Sequence, residues 1–244
     1  MKKIYELIVI IPARAKSEGL KNKNIKKLNN HPLIAYSLAA AKTIKIKSKV
    51  IFCSTDSKKI LNIAKRYGHN FDDLRPKKIA TKYSRDLEFV NHTLKLFEKK
   101  NILFNFGCIL RPTNPIRSSS FINKAIKVFK NKNKFTSLKC LTRTSETPYK
   151  MWTLKKNNIN PVSKLKLHEF YNAPRQILPL TYKQTGSIEL FRINKKKKLK
   201  SISGKKILGF VSSYNESVDV DSKKDFEKLE KILKNNKNFI FPIV

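Results

Sequence analysis

Short apolar runs alternate along the chain with segments whose apolar residues recur at helical spacing. Leu7 to Ile11 is apolar at every position, which predicts a strand of a parallel sheet buried on both faces. Ile34, Leu38 and Ala41 then fall on one helical stripe, and Lys49 to Ser54 reads as a second strand. Ser57 stands where an N-cap belongs, ahead of the stripe Ile60, Leu61, Ala64 and Tyr67. Leu87, Val90, Leu94 and Phe97 mark a further helix, Phe106 to Leu110 a strand, Phe121 to Phe129 an amphipathic helix and Phe135 to Leu141 a strand. After an irregular stretch come Ser187 to Arg192, Ile207 to Val211, and a last helix on Phe226, Leu229, Ile232 and Leu233.

This order predicts an α/β fold, a three-layer, mostly parallel sheet with helices on both faces. Ligands of such sheets bind beyond the carboxyl ends of the strands. The loops at those ends are Pro12 to Asn24, Thr55-Asp56 and Arg111 to Arg117, and they hold the least ordinary chemistry in the chain. The length, 244 residues, fits one domain. From about residue 142 to 185 the alternation fails and Pro148, Pro161, Pro174 and Pro179 punctuate the chain, as expected of an inserted arm.

The formal charge is +37, from 54 Lys and Arg against 17 Asp and Glu. An excess of this size raises a nucleic-acid partner. Here the cations are nearly all Lys, spread evenly beside abundant Asn and Ile, with the longest run, Lys195 to Lys198, following Asn194 as a solvated turn would. That spread argues against a dedicated nucleic-acid surface and for a general attraction toward anionic substrates. Cys53, Cys108 and Cys140 match no metal or redox spacing and sit in apolar runs, so reduced, buried thiols of a cytoplasmic protein are expected. No apolar run approaches a membrane span and no leader is visible, so no membrane partner is expected.

The loop Ile11 to Ile25, IPARAKSEGLKNKNI, has the composition of a triphosphate site. Pro12 ends the strand, Ser17 and Gly19 let the backbone approach a phosphate, Arg14 and Lys23 bring cations, and Asn24 brings an amide donor. The spacing is neither that of a Walker loop nor that of a dinucleotide fingerprint. A basic surface turn has the same composition. Near the other end, Asp219 and Asp221 alternate with Val218 and Val220 in what reads as an extended segment. Alternation turns both carboxylates to one side, a pair suited to a hard cation that also holds phosphates. The alternative is a capped turn before the last helix, with Asp221 or Ser222 as N-cap and Asp225 in the first turn.

The opening loop resembles the signature IPARGGSKGLPxKNI of the acylneuraminate cytidylyltransferase (CMP-sialic acid synthetase) family. Five further segments resemble that family in order: Ser54 to Asp56, Leu74 to Pro76, Leu110 to Arg117 (the family's LQPTSPLR), Pro174 to Leu190, and Val218 to Phe226 (the family's IDIDxxxDF). Together they run from Ile11 to Phe226.

The resemblance implies a Rossmann-like nucleotidyltransferase that joins CTP to an acidic nine-carbon sugar, giving CMP-sugar and pyrophosphate. It implies CTP binding by Ala13, Arg14, Ser17, Gly19, Lys23, Asn24 and Arg75, with Arg14, Lys23 and Asp221 catalytic. Mg²⁺ would sit on Asp219 and Asp221. The sugar would meet Arg111, Thr113, Arg175 and Gln176, and less directly Lys166. The arm, about 142–185, would pack on a second copy in a homodimer with shared sites. His31, His69, His92 and His168 fall outside all these segments. The chain departs from the family at Ala15-Lys16 (Gly-Gly), Glu18 (Lys), Lys82 (an acid), Arg111 (Gln) and Thr185 (Asn). Two other readings share the scaffold, a 3-deoxy-octulosonate cytidylyltransferase and a non-catalytic basic nucleic-acid-binding protein.

Overall fold

The computed structural model of the chain describes residues 1–16, 20–213, 215–234 and 239–243. In chain order the elements are β1 (Lys3–Pro12), β2 (Lys27–Leu28), β3 (His31–Pro32), α1 (Leu33–Lys42), β4 (Lys49–Ser54), α2 (Lys58–Arg66), α3 (Asp86–Lys99) and β5 (Ile102–Ile109). There follow α4 (Ser119–Asn131), β6 (Ser137–Arg143), β7 (Trp152–Lys155), β8 (Asn158–Pro161), β9 (Tyr182–Arg192), β10 (Ile207–Val211) and α5 (Lys223–Lys234).

Six strands form the central sheet in the order β10-β6-β9-β5-β1-β4. β1 pairs in parallel with β4 and β5, and β6 pairs in parallel with β10. β9 is inserted antiparallel between β5 and β6, so one strand of a mostly parallel sheet is reversed. The reversal follows from connectivity: β9 returns from the long excursion after β6 and pairs with it, Thr142 opposite Lys183 and Arg143 opposite Tyr182.

The uniform apolarity of β1 has a direct cause. Leu7, Val9 and Ile11 pack on one face with α1, α2 and α4, while Ile8 and Ile10 pack on the other with Phe89, Val90 and Phe97 of α3. Each such fully buried Leu, Ile or Val contributes about 1.5–3 kcal/mol relative to exposure. The Ser57 hydroxyl caps α2, accepting from the Ile60 amide at 3.3 Å. α5 closes a third cluster over Val218, Val220, Leu33, Tyr36 and Ile116. This cluster holds the segment before α5 against the loop after β5. The three cysteines are free and buried, and Lys195 to Lys198 form an exposed turn, as expected. Among the described residues no helix is long and apolar enough to cross a membrane.

Between β6 and β9 the chain leaves the sheet. β7 and β8 form a two-stranded hairpin exposed at every position. Trp152 lies against Tyr171, with ring centroids 4.7 Å apart. Leu154, Ile159, Val162, Ile177 and Leu180 present apolar side chains to solvent.

Candidate active site

Beyond the carboxyl ends of β1, β4 and β5 lies a cleft of about 400 Å³. Arg14, Lys23, Asn24, Arg75, Arg111, Thr113 and Asp221 line it, joined by Lys82, Ser84 and Asp86. Residues scattered from Arg14 to Asp221 therefore converge on one hollow. Ser17 and Gly19 lie outside the described residues. Ala13 is fully buried at the end of β1, its amide donating to Ser54 O at 2.9 Å. Arg175 and Gln176 stand on a short exposed turn of the excursion, outside this cleft, as does Lys166.

The loop after β1 is tied down at several points. The Ala15 amide donates to Asp56 Oδ1 at 2.8 Å, and Asn24 Nδ2 donates to Arg14 O at 2.9 Å. The Asn24 amide thus closes the loop on itself. Arg14 reaches across the cleft, its Nη1 donating to Thr81 O at 2.7 Å.

Arg75 is 6% exposed and its amide donates to Thr55 O at 2.7 Å, which holds it beside β4. Its guanidinium lies 5.5 Å from the Phe89 ring centroid, and its Nε and Nη2 have no partner among the described residues. Burial lowers its pKa, against the attraction of Asp56. A guanidinium remains charged under such conditions. Two donors of a buried cation in the wall of the cleft are thus left without a protein partner among the described residues.

The segment before α5 supplies the acidic side. Val218 and Val220 are buried while Asp219 and Asp221 face outward, the alternation that the sequence predicts. Val220 N donates to Thr113 O at 2.8 Å and Asn114 Nδ2 donates to Val218 O at 3.0 Å, so the segment lies along the loop after β5. The helix is capped by Ser222, one of the two N-caps that the sequence offers: Ser222 Oγ accepts from Asp225 N at 3.3 Å, and Asp225 Oδ2 accepts from Asp221 N at 3.1 Å and Ser222 N at 2.7 Å. The Asp221 carboxylate, free of that duty, meets Lys23 Nζ at 2.8 Å. The Asp219 pKa is raised, first by desolvation and also by Asp221, against a hydrogen bond from Thr113.

Arg111, placed after β5, makes a two-pronged ion pair with Asp86 at the start of α3 and lies 3.4 Å from Glu189 of β9. Glu189 also pairs with Lys139, directly opposite it on β6. Behind the loop, Arg117 is fully buried. Its Nη2 donates to Arg111 O at 2.7 Å, its Nε to Ser187 O at 2.5 Å and its Nη1 to Ser37 Oγ at 3.3 Å. Sequence reasoning reached Asp56 only as the end of the Ser54 to Asp56 segment, and it did not reach Asp86 or Glu189. Each acts through a partner distant in sequence, and only the charge of Arg111 in a polar loop hinted that a carboxylate was needed there.

The wound sheet, the basic cleft at its carboxyl edge and the paired carboxylates beside it define a nucleotidyltransferase. The chain belongs to the Cytidylyltransferase family, whose profile matches residues 8–241. It is 36% identical over 228 residues to the CMP-N,N'-diacetyllegionaminic acid synthase of Campylobacter jejuni, covering 92% of this chain and 94% of that one. It is 32% identical over 224 residues to the N-acylneuraminate cytidylyltransferase of Escherichia coli O18:K1:H7, covering 91% of this chain and 51% of that protein. The chain thus spans about half the length of the Escherichia coli relative. Among solved structures, CMP:2-keto-3-deoxy-manno-octonic acid synthetase complexed with CTP shares the fold at a TM-score of 0.67 and 13% identity, over 94% of this chain and 99% of that one.

Proposed function

We propose that the chain transfers CMP from CTP to a nonulosonic acid and releases pyrophosphate. The observation that carries this reading is Arg75, a buried guanidinium with two unpartnered nitrogens in the wall of a cleft that Arg14 and Lys23 also line. The similarity to synthases of CMP-linked nonulosonic acids supports the choice of sugar class over 3-deoxy-octulosonate.

The anomeric hydroxyl of the sugar attacks the α-phosphorus in line with the departing pyrophosphate. Most of the catalysis is positioning and charge stabilisation. Lys23 lies where charge builds on the α-phosphate, and Arg14 and Arg75 hold the triphosphate. Asp219 and Asp221 supply hard oxygen donors, with Asp221 in the lining of the cleft. That set fits Mg²⁺ shared with substrate phosphates. When bound, Mg²⁺ supplies Lewis acidity toward phosphate oxygens and lowers the pKa of an oxygen nucleophile.

The exposed apolar side chains of the β7–β8 excursion suit a second copy of this chain, and a homodimer would carry Arg175 and Gln176 to the partner's cleft. The cytoplasm, with its CTP, is the compartment that this chemistry requires. Titration calorimetry with CTP and Mg²⁺ tests the reading. Wild-type chain binds CTP, and Arg75→Met weakens binding by roughly 10- to 100-fold, the loss of a charged hydrogen-bonding partner. A folded chain without CTP affinity, or an Arg75→Met variant with unchanged affinity, would contradict it.

A further inference from the structure

Four consecutive residues at the end of β4 each hold a different part of the molecule. Ser54 O accepts from the Ala13 amide at 2.9 Å, and Thr55 O from the Arg75 amide at 2.7 Å. Asp56 Oδ1 accepts from the Ala15 amide at 2.8 Å, and Ser57 Oγ from the Ile60 amide at 3.3 Å. Ser54 and Thr55 are fully buried, and the Ser57 amide donates to Thr55 Oγ1 at 3.2 Å. The Asp56 carboxylate therefore stands on backbone fixed between a strand and a helix. A side chain so anchored can hold something else in place.

What it holds is the backbone of Arg14. The Ala13 and Ala15 amides flank that residue, and both are tied to the end of β4. The Arg14 carbonyl itself accepts from Asn24 Nδ2. Of these three bonds, only that of Asp56 uses a side chain from outside the loop after β1. It joins a carboxylate to an amide, the charge-assisted kind that is stronger than a neutral pair. Asp56 does not line the cleft. It lines an adjoining hollow that shares Arg14 and Thr81 with the cleft. A cation stabilises a reacting phosphate well only when it is placed beforehand. We propose that Asp56 is a positioning residue, which acts through the Ala15 amide to set Arg14 for the triphosphate and does not touch substrate. The inference rests on the cytidylyltransferase reading and adds to it a residue behind the phosphate loop.

Two other roles must be separated from this one. A carboxylate ahead of α2 favours the helix dipole, which would stabilise the fold and leave kinetics alone. The Asp56 charge also attracts the Arg75 guanidinium. Asn at position 56 keeps an oxygen for the Ala15 amide and removes the charge, whereas Ala removes both.

The test is steady-state pyrophosphate release with CTP, Mg²⁺ and whichever of N-acetylneuraminate, legionaminate, pseudaminate and 3-deoxy-octulosonate the wild type turns over fastest. Asp56→Ala lowers kcat/KM for CTP by roughly 10- to 100-fold, the loss of one hydrogen bond to a charged group, and leaves the sugar KM unchanged. Asp56→Asn recovers most of that loss. Asp56→Ala combined with Arg14→Ala loses no more than Arg14→Ala alone, because the first change acts through the second residue. Hydrogen exchange at the Ala15 amide speeds up in Asp56→Ala and stays slow in Asp56→Asn. Circular dichroism establishes that each variant is folded. Additive losses in the double variant, an Asn variant as impaired as the Ala variant, or losses that merely follow the urea midpoint would overturn the role of Asp56 while leaving the reaction standing. No turnover by the wild type with any acid would remove the reaction and this inference together.

Discussion

The Lys23 ammonium lies 2.8 Å from the Asp221 carboxylate, although 198 residues separate them. The pair joins the loop after β1 to the segment before α5 across the mouth of the cleft. Its carboxylate is largely exposed, so its value to stability is small, about 0–1 kcal/mol. Under the proposed function, a contact that contributes so little to folding and lines the cleft serves the chemistry.

Lys23→Ala should therefore lower kcat for pyrophosphate release by about 100- to 1,000-fold, the loss associated with one preorganised donor. Asp221→Asn should abolish Mg²⁺-dependent turnover. Both variants should keep a urea midpoint close to wild type. A loss of activity that merely tracks unfolding would contradict the assignment.

Gly186 is needed for close approach. A Cβ there would stand 2.1 Å from Asn114 Oδ1 as well as 2.9 Å from Arg111 Cδ. Gly186→Ala must push both side chains out of place, at a cost of roughly 1–3 kcal/mol in overpacking. Urea denaturation should register that loss. The sugar KM should rise more than the CTP KM, since the displaced residues lie on the loop after β5.

Arg117 anchors that same loop. Burial pushes its pKa down to about 10, yet it stays charged at neutral pH and satisfies acceptors on three different elements. Arg117→Ala should cost roughly 3–5 kcal/mol, combining a cavity with orphaned buried acceptors. Arg117→Lys should not restore stability, because one ammonium cannot reach all three sites. Chemical denaturation of the two variants measures this directly.

His69 should make stability pH-dependent. It is 2% exposed among Phe52 and Phe71, and its pKa is pushed down from 6.5 to about 4, first by burial and then by the Lys65 charge. The unfolded chain takes up a proton that the folded chain refuses. Stability is therefore whole above about pH 6.5 and is lost as pH falls toward 4, by about 3 kcal/mol in all. His69→Gln should flatten this part of the stability profile relative to wild type. An unchanged slope would mean that other groups carry it.

Much of this architecture was legible in the sequence because its signals are local. The uniform apolarity of β1, the Ser57 cap and the stripes of α2 and α4 each follow from residues near one another in the chain. The Val-Asp alternation before α5 survives as a real division between buried and exposed positions. The direction of β9 was not legible, since an apolar strand reads alike in both senses and only its partners orient it. The β7–β8 hairpin was also missed. Its turn places Lys156 at φ 52, a conformation that Gly or Asn would have advertised, and its strands lack a buried face. Asp86 and Glu189 escaped because an ion pair is a relation in space. The sequence displayed the unusual Arg111 but not the two carboxylates that answer it.

The most direct test of the central claim is pyrophosphate release from CTP and Mg²⁺ with N-acetylneuraminate, legionaminate, pseudaminate and 3-deoxy-octulosonate. The account predicts turnover with an acylamino nonulosonic acid, and loss of that turnover in Lys23→Ala and Asp221→Asn chains that remain folded. A folded wild-type chain that releases no pyrophosphate with any of the acids, and does not bind CTP, would contradict it.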